Sequence, residues 1–394
     1  MTVVEFFDKD SIENIVSTLL CYPDKVVFVG DNIKAMNRAI KKYQNIVESR
    51  GRNVEFIPIS VTRNELEDII NKLNKIIEDY GEVEIDLTGG EDLYLVAAGV
   101  VFSTHPDKVK LHRYNINNGV LYDCDADGNV INSNPDKLRV DENIAIYGGR
   151  IVYDYERAKG THRWSFDKEF ISDVDIMWDI CCNDHKTWNN VMKCFEFDEN
   201  SEKHLGETQF MTYSATLNEV PDAVKSLKKY GLVDNIELKN GYLTFDCKNS
   251  QIKKCLSKSG QLLEIKTAIE LLELNDLGDE VVDDILTGAL IFWDNDDPND
   301  RNVVNEVDVI VMNGLVPVFV SCKNGAIDVE ELYKLNTVAT RFGGKYAKKV
   351  LVATNDAESI RSRADEMHIK VVDNLITIDQ DSKDFRRKIK SILK

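Results

Sequence analysis

Between residues 1 and 114, short runs rich in Val, Ile and Phe alternate with longer stretches of helical period, and this alternation narrows the fold more than any other feature of the chain. Val3–Phe7, Val26–Val29, Val54–Ile59, Val83–Leu87 and Lys108–Tyr114 read as strands, with Ser11–Leu20, Ile33–Ser49, Asn64–Tyr80 and Glu91–Phe102 as the helices between them. Apolar strands separated by helical crossovers predict an α/β unit whose parallel sheet is covered on both faces. Ligands of such sheets bind beyond the carboxyl ends of the strands. Three loops reach that edge: Asp8–Asn14, Gly30–Ile33 and Asp86–Asp92. In the last, Thr88-Gly89-Gly90 lets a ligand approach the backbone, and the amides that open the next helix favour an anion. The same residues also suit a plain helix cap, with Glu91 and Asp92 complementing the dipole, and those acids oppose a phosphate set against them. No Gly-x-Gly-x-x-Gly follows the first strand, which argues against a dinucleotide cofactor.

A second constraint lies far along the chain. Asn305–Val311 and Leu315–Lys323 are strand-like runs on either side of Met312-Asn313-Gly314, and an Asn-Gly between such runs is a strong hairpin signal. Alternation puts Glu306 and Asp308 on one face, with Ser321 and Lys323 sharing a face on the returning strand. A two-residue Asn313-Gly314 turn sets Glu306 opposite Ser321 and Lys323 opposite Val304, with all the polar groups on one side. Two carboxylates beside an ammonium suit metal-assisted cleavage of a phosphodiester: the acids hold a divalent cation and the lysine orients water or offsets charge at phosphorus. An amphipathic hairpin with one solvated face shows the same alternation.

The 394 residues have the length of two or three domains. The net charge of −19 argues against a protein that coats nucleic acid, although a local basic field can still serve a nuclease. Two basic clusters flank the hairpin, Lys248–Lys258 (with Lys253 and Lys254) and Arg341–Lys349 (with Lys345 and Lys348). They are either phosphate contacts or solvated faces. The eight cysteines include no Cys-x-x-Cys and lack zinc-ligand spacing, so reduced thiols in a cytoplasmic protein are expected. Cys322 should point away from Lys323 and pack. No apolar run approaches ~20 residues and the start lacks a basic region, so neither a membrane span nor a signal peptide is expected.

Gly119–Pro135, rich in Asn, Asp and Gly, reads as a loop or hairpin before a boundary, and Ile144–Tyr147 as a short strand leading to Gly148-Gly149. Farther on, Thr187–Phe195 and Val220–Tyr230 look helical, and Ile236–Leu238 pairs with Tyr242–Phe245 around Asn240-Gly241. Helices followed by a small hairpin suggest a winged helix, with Lys225, Lys228 and Lys229 as possible phosphate contacts, or a spacer. Asp294, Asp296 and Asp297 match a calcium loop only loosely. Past Lys323 the order is helix Val329–Arg341, strand Lys349–Ala353, helix Ala357–Met367, strand Lys370–Val372 and helix Phe385–Leu393.

The order of acid, strand, turn and strand ending in x-Lys resembles the PD-(D/E)xK restriction-endonuclease fold, with Gly260-Gln261-Leu262-Leu263-Glu264 as its acid-bearing helix. With Asn305–Asp308, Ser321–Gly325 and Arg341–Gly344, the C-terminal third resembles the CRISPR-associated nucleases that carry a Rossmann-fold (CARF) sensor domain, and the Thr88–Gly90 loop looks like the glycine motif of that sensor. The resemblance implies a sensor over residues 1–145, a winged-helix-like linker over 146–250 and a nuclease over 251–394. It implies a homodimer that binds a cyclic oligoadenylate, usually cyclic tetra-adenylate, near Asp8, Ser11, Asn14, Gly30, Asp31, Thr88, Gly89 and Gly90. It further implies an endonuclease of type III CRISPR antiviral defence that cuts DNA or RNA, with Mg2+ or Mn2+ held by Asp308 and by Glu264 or Glu306, and with Lys323 catalytic. Ser321 stands where the family carries a carboxylate. That departure leaves room for the alternative of a ligand-gated winged-helix regulator whose nuclease domain is inactive.

Overall fold

A computed structural model describes residues 1–124, 130–131, 137–156, 160–194, 206–214, 217–258, 260–276, 282–293, 305–376 and 382–393. The expected acidic loop 294–301 and Val304 lie outside these residues.

The N-terminal third builds the predicted alternation: β1 (Thr2–Phe6), α1 (Val16–Cys21), β2 (Lys25–Gly30), α2 (Ile33–Ser49), β3 (Glu55–Ser60), α3 (Leu66–Tyr80), β4 (Val83–Asp86), α4 (Asp92–Thr104) and β5 (Val109–Asn115). These five strands run parallel in the order β3-β2-β1-β4-β5, and β6 (Val120–Asp123) and β7 (Val130–Ile131) extend the edge antiparallel. Val26 and Phe28 point to one face and Val27 and Val29 to the other; both faces are buried, as apolar runs require. The helix expected at Ser11–Leu20 begins only at Val16, because residues 11–15 form turns that close the ligand-edge loop.

Next comes α5 (Val140–Ile146), where a strand was expected at Ile144–Tyr147. Four apolar residues cannot decide between helix and strand. Here the Glu142 carboxylate accepts from the Arg139 backbone N–H at 2.9 Å, starting a helix whose Ile144 and Ile146 are buried. After it β8 (Gly149–Ile151) joins a distant sheet, with Ile151 opposite Ile291.

The middle consists of α6 (Lys168–Asn183), α7 (His185–Cys194), β9 (Gln209–Tyr213), α8 (Asp222–Lys229), β10 (Val233–Lys239), β11 (Tyr242–Cys247) and α9 (Ser250–Leu256). The hairpin at Asn240-Gly241 is present: Lys239 pairs with Tyr242, and both turn residues have positive φ (51° and 79°). The strand β9 adds a third member.

The rest comprises α10 (Gln261–Asp276), β12 (Asp284–Trp293), β13 (Asn305–Asn313), β14 (Val316–Lys323), α11 (Val329–Gly343), β15 (Lys348–Ala353), α12 (Glu358–Glu366), β16 (Ile369–Val372) and α13 (Ser382–Leu393). Their sheet runs β16-β15-β14-β13-β12-β8, parallel at the β15 side and antiparallel elsewhere. The central helix α10 is buried nearly all round. Its Leu262, Ile265 and Ile269 enter the middle core, while Leu263, Ala268 and Leu271 enter the C-terminal one. A third core runs without a break from Ile12, Ile15 and Tyr43 to Ile144, Phe319 and Phe342, so the first and last thirds share an interior.

Candidate nuclease and ligand sites

The β13–β14 hairpin sets the first site, with one correction. The turn is Gly314-Leu315, because Asn313 pairs with Val316 and Met312 with Pro317. Gly314 takes φ +60° at the first turn position and its N–H donates to Asp283 at 2.5 Å, drawing the turn one residue on. The register therefore slips by two from the expected pairing, setting Asp308 rather than Glu306 against Ser321. An even slip keeps each side chain on its face. The polar residues stay together: Ser321 Oγ donates to Asp308 Oδ2 at 3.2 Å, and the Cys322 N–H donates to the same oxygen at 2.6 Å. Cys322 itself packs on the far face against Thr267.

From α10, which packs on the Cys322 face, the buried Glu264 joins the charges around Glu306 and Asp308. Lys258 inserts its ammonium between two acids, bonding to Glu306 and lying 3.5 Å from Glu264 Oε1, while Gln261 Nε2 donates to Glu264 Oε2 at 3.0 Å. Burial pushes the Glu264 carboxyl up to about 7; Lys258 opposes the rise, and Asp308 and Glu306 add to it. Burial likewise raises Asp308 above the ordinary carboxylate range, against the pull of the Cys322 N–H, Lys323 and Lys258. Burial works to lower Lys258, but the surrounding carboxylates outweigh it and hold the ammonium above its ordinary value. Lys323 lies on the Asp308 side of the ribbon and is anchored by Glu331 of α11 at 2.7 Å. Burial tends to raise Glu331, and its bonds from Lys323 and Lys334 bring it below the ordinary range. Glu264, Glu306, Asp308, Ser321 and Lys323 thus belong to one connected group of charges, joined by Lys258, Gln261 and Glu331. The sequence offered Lys258 only as one of a basic cluster; that it lies between two acids on other elements is visible only in the fold. Glu331 had a local signal, as an acid in the first turn of the helix after the lysine-bearing strand.

Neither basic cluster is a free phosphate face. Lys248 pairs with Asp173 at 2.8 Å and Lys254 with Asp154 at 2.6 Å, while Arg341 stacks on Trp293 and Lys349 donates to Asn336 and the Met367 carbonyl.

At the other end the three predicted loops meet. Asp8 is their knot: Oδ2 accepts from the Gly90 N–H at 3.1 Å, Oδ1 accepts from the Asp10 N–H at 2.9 Å, and its own N–H donates to Asn14 Oδ1 at 2.6 Å. Gly90 has φ +102°, and a Cβ there would come within 2.7 Å of Phe6 Cβ, so only glycine brings this loop against β1. Thr88 is tied inward, its N–H and Oγ donating to Asp86 Oδ1 at 2.8 and 2.5 Å. Asn14 is buried and shapes the loop, and the Ser11 carbonyl accepts from Tyr43. Gly30 and Gly89 keep backbone close to Phe7 and Asp8. Asp31 and Glu91 both pair with Arg63, at 3.6 and 3.4 Å, a cation at the ligand edge that sequence reading passed over.

The Asp8–Asn14 loop is bonded directly to the C-terminal part of the chain. Asp10 accepts from Tyr147 Oη at 2.5 Å and from the Lys345 N–H at 2.9 Å, while Glu13 takes the Lys345 ammonium at 2.8 Å and Tyr346 Oη at 2.5 Å. Burial raises Glu13 above the ordinary range despite those two bonds. Gly344 has φ +64°, and a Cβ there would lie 2.4 Å from Tyr147 Oη. Gly344–Tyr346, at the end of the Arg341–Gly344 run grouped with the nuclease from sequence, and Tyr147 therefore form the seat of the Asp8–Asn14 loop.

No protein-family model and no curated protein matches the chain. Among solved structures it is similar to protein VC1899 from Vibrio cholerae, at 16% identity and a TM-score of 0.74 over 99% of this chain and 98% of that one. It is similar to Can2 from Sulfobacillus thermosulfidooxidans in complex with cyclic tetra-adenylate, at 15% identity and a TM-score of 0.66 over 100% and 97%. A type III CRISPR defence DNA nuclease activated by cyclic oligoadenylate matches at 13% identity and a TM-score of 0.51, over 90% of this chain but 45% of that one. At these identities the likeness is one of fold, and it runs the length of the chain.

Proposed function

We propose that the chain is a metal-dependent endonuclease of type III CRISPR defence, switched on by a cyclic oligoadenylate, with cyclic tetra-adenylate the first candidate. The observation that carries this reading is the convergence of Glu264, Glu306 and Asp308 with two lysines in one connected group of charges. The donor set is all oxygen, as Mg2+ or Mn2+ prefers, and the Lys258 ammonium already sits among the acids where positive charge is wanted. Glu264, Asp308 and Glu306 would hold the cation, which when bound supplies polarisation of a phosphoryl oxygen and an activated water. Lys323, steadied by Glu331, meets the charge that develops on phosphorus. Asp308 is itself fixed by the Cys322 N–H, so the chain contributes a preorganised acid. One similar structure is a complex with cyclic tetra-adenylate and another is a nuclease activated by cyclic oligoadenylate; here such a ligand would sit at the loops around Gly89-Gly90, and the Glu13–Lys345–Tyr346 contact would carry the change to the nuclease.

Pairing with a second copy is supported by α4, which leaves Leu95, Val96 and Val100 exposed beside Gly99. No helix among the described residues is long and apolar enough to cross a membrane.

The test uses supercoiled plasmid and labelled single-stranded DNA and RNA with Mn2+, with and without cyclic tetra-adenylate. Wild type should cut only with the ligand, and Lys323→Ala should lose cleavage while binding the ligand as before; undiminished cutting by Lys323→Ala overturns the assignment. One observation favours a second reading: Ser321 replaces an acid, so the chain would be a ligand-gated regulator with an inactive nuclease unit. Against it, Lys225 and Lys228 of the middle unit pair with Asp222 and Asp234 rather than presenting free charge. Nucleic-acid binding without cutting, with activity appearing in Ser321→Glu, would decide for it.

A further inference from the structure

Beneath the Thr88–Gly90 loop, the sheet gathers ionisable side chains on the face covered by α1. Asp86 of β4 is register partner to His112 of β5, and Glu5 of β1 and Glu84 of β4 point to the same face. Ser17, Thr18 and Cys21 come down on them from α1. The Cys21 thiol, a Glu84 oxygen and a His112 ring nitrogen all lie within 4.8 Å of one another. His112 Nδ1 is 3.6 Å from Glu84 Oε2, and Nε2 is 2.8 Å from Ser17 Oγ. Two ligands on one tetrahedral zinc stand about 3.3–3.7 Å apart, given bonds of roughly 2.0 Å to nitrogen and oxygen and 2.3 Å to sulfur. Beside them Glu5 and Asp86, each only 1% exposed, set their carboxyls against each other, and Thr18 Oγ is buried with no hydrogen-bond partner. His112 Nε2 also lies 3.8 Å from Asp86 Oδ1, which ties Asp86 to the same cluster.

We propose that Cys21, Glu84 and His112 form a structural site for a borderline-soft divalent cation, zinc above all, built under the ligand loop of the sensor. The softness follows from the thiolate and imidazole, which select zinc over magnesium. The site calls for the His112 tautomer whose Nε2–H donates to Ser17 Oγ, which leaves the Nδ1 lone pair toward the ion while the other ring nitrogen is held by the protein. On binding, the Cys21 thiol proton leaves to solvent and a thiolate–metal bond forms; nothing is oxidised or reduced. The carboxyls of Asp86 and Glu5 then face a cation instead of each other. Because Asp86 also holds the Thr88 N–H and hydroxyl, the ion would stiffen the loop that receives the activator. The site is independent of the nuclease reading and stands or falls alone.

The experiment is a Co2+ titration of full-length protein stripped with chelator, in an Asp308→Asn, Glu264→Gln background that removes the other carboxylate site. The expected result is a thiolate-to-cobalt charge-transfer band in the near ultraviolet that saturates at one ion per chain and is displaced by zinc. It should be lost in Cys21→Ser, and zinc affinity should weaken on the order of 10–100-fold in Ser17→Ala, which touches only the second shell. Absence of the band in the parent protein overturns the proposal without reference to any variant, as does a band of unchanged strength in Cys21→Ser.

Discussion

The proposed nuclease site and the floor of the N-terminal sheet each gather three carboxyls, and they end as opposites. Glu264, Glu306 and Asp308 face Lys258 and Lys323, and the site is open enough for Glu306 to be half exposed. Glu5, Glu84 and Asp86 face one imidazole and one thiol; Glu5 and Asp86 are sealed from water. Burial and the neighbouring Asp86 push Glu5 far above the ordinary range, while Glu264 stops near 7 because a lysine opposes the rise. A third buried acid, Glu142, calibrates both. It takes the Arg50 guanidinium on both oxygens, at 2.9 and 2.7 Å, and ends below the ordinary range. Acids in a fold are therefore made reactive or inert by what faces them and whether water reaches them, and their number decides little.

The largest effect that would sharpen the contrast is on chemistry. Asp308→Asn keeps the shape of the hairpin but removes the fixed charge. Ligand-dependent cleavage should fall on the order of 10²–10³-fold, measured as initial rates of plasmid nicking, the scale seen when one preorganised electrostatic group is lost. Asp86→Asn should leave the rate at saturating ligand within a few-fold and weaken activator binding instead, read by calorimetry. A reversal of the two phenotypes would break the comparison.

Next in size is the link between the sites. Glu13→Gln should leave cyclic tetra-adenylate binding to the loop itself in place, yet reduce the activation ratio by roughly 5–150-fold, the span of a coupling free energy of 1–3 kcal/mol. Lys345→Met should do the same, and the double variant should add little, because both changes cut one contact. If the two losses add in full, the Glu13–Lys345 pair is not the path.

Much of this was legible in order and little of it in partnership. The βα alternation foretold the parallel N-terminal sheet because period and apolar runs are local signals. The hairpin was legible too, yet its turn was displaced by one residue because the Gly314 N–H finds Asp283, far away in sequence. The apolar run at Ile144 failed as a strand for a similar reason: Glu142 capped a helix there. Lys258 between Glu264 and Glu306, Arg63 between Asp31 and Glu91, and Cys21 beside His112 all join residues from separate elements, so no spacing rule announces them. The absence of zinc-ligand spacing in the sequence was correct as read and has no bearing on ligands brought together by a sheet and a helix.

The smallest effect tests Glu142, the acid with an ordinary partner. Burial alone would raise its carboxyl; the Arg50 hydrogen bonds and the Arg139 N–H outweigh that and lower it from 4.5. A carboxyl with a depressed folded-state value binds protons less readily when folded. Its contribution to stability is therefore complete above the unfolded value and disappears as pH falls through the folded one. Glu142→Gln retains the shape and one accepting oxygen but not the charge, so it should cost about 1–2 kcal/mol at pH 7. That cost should shrink as pH drops below about 4.5, where the wild-type acid is itself neutralised. Denaturant midpoints at a series of pH values read this directly. Glu264, raised rather than lowered, has the opposite slope: Glu264→Gln should be tolerated best at neutral pH and above, where burying the wild-type charge is most costly. Parallel pH profiles for the two variants would show that burial alone sets the behaviour of these acids, and the contrast between paired and poised carboxylates would fail.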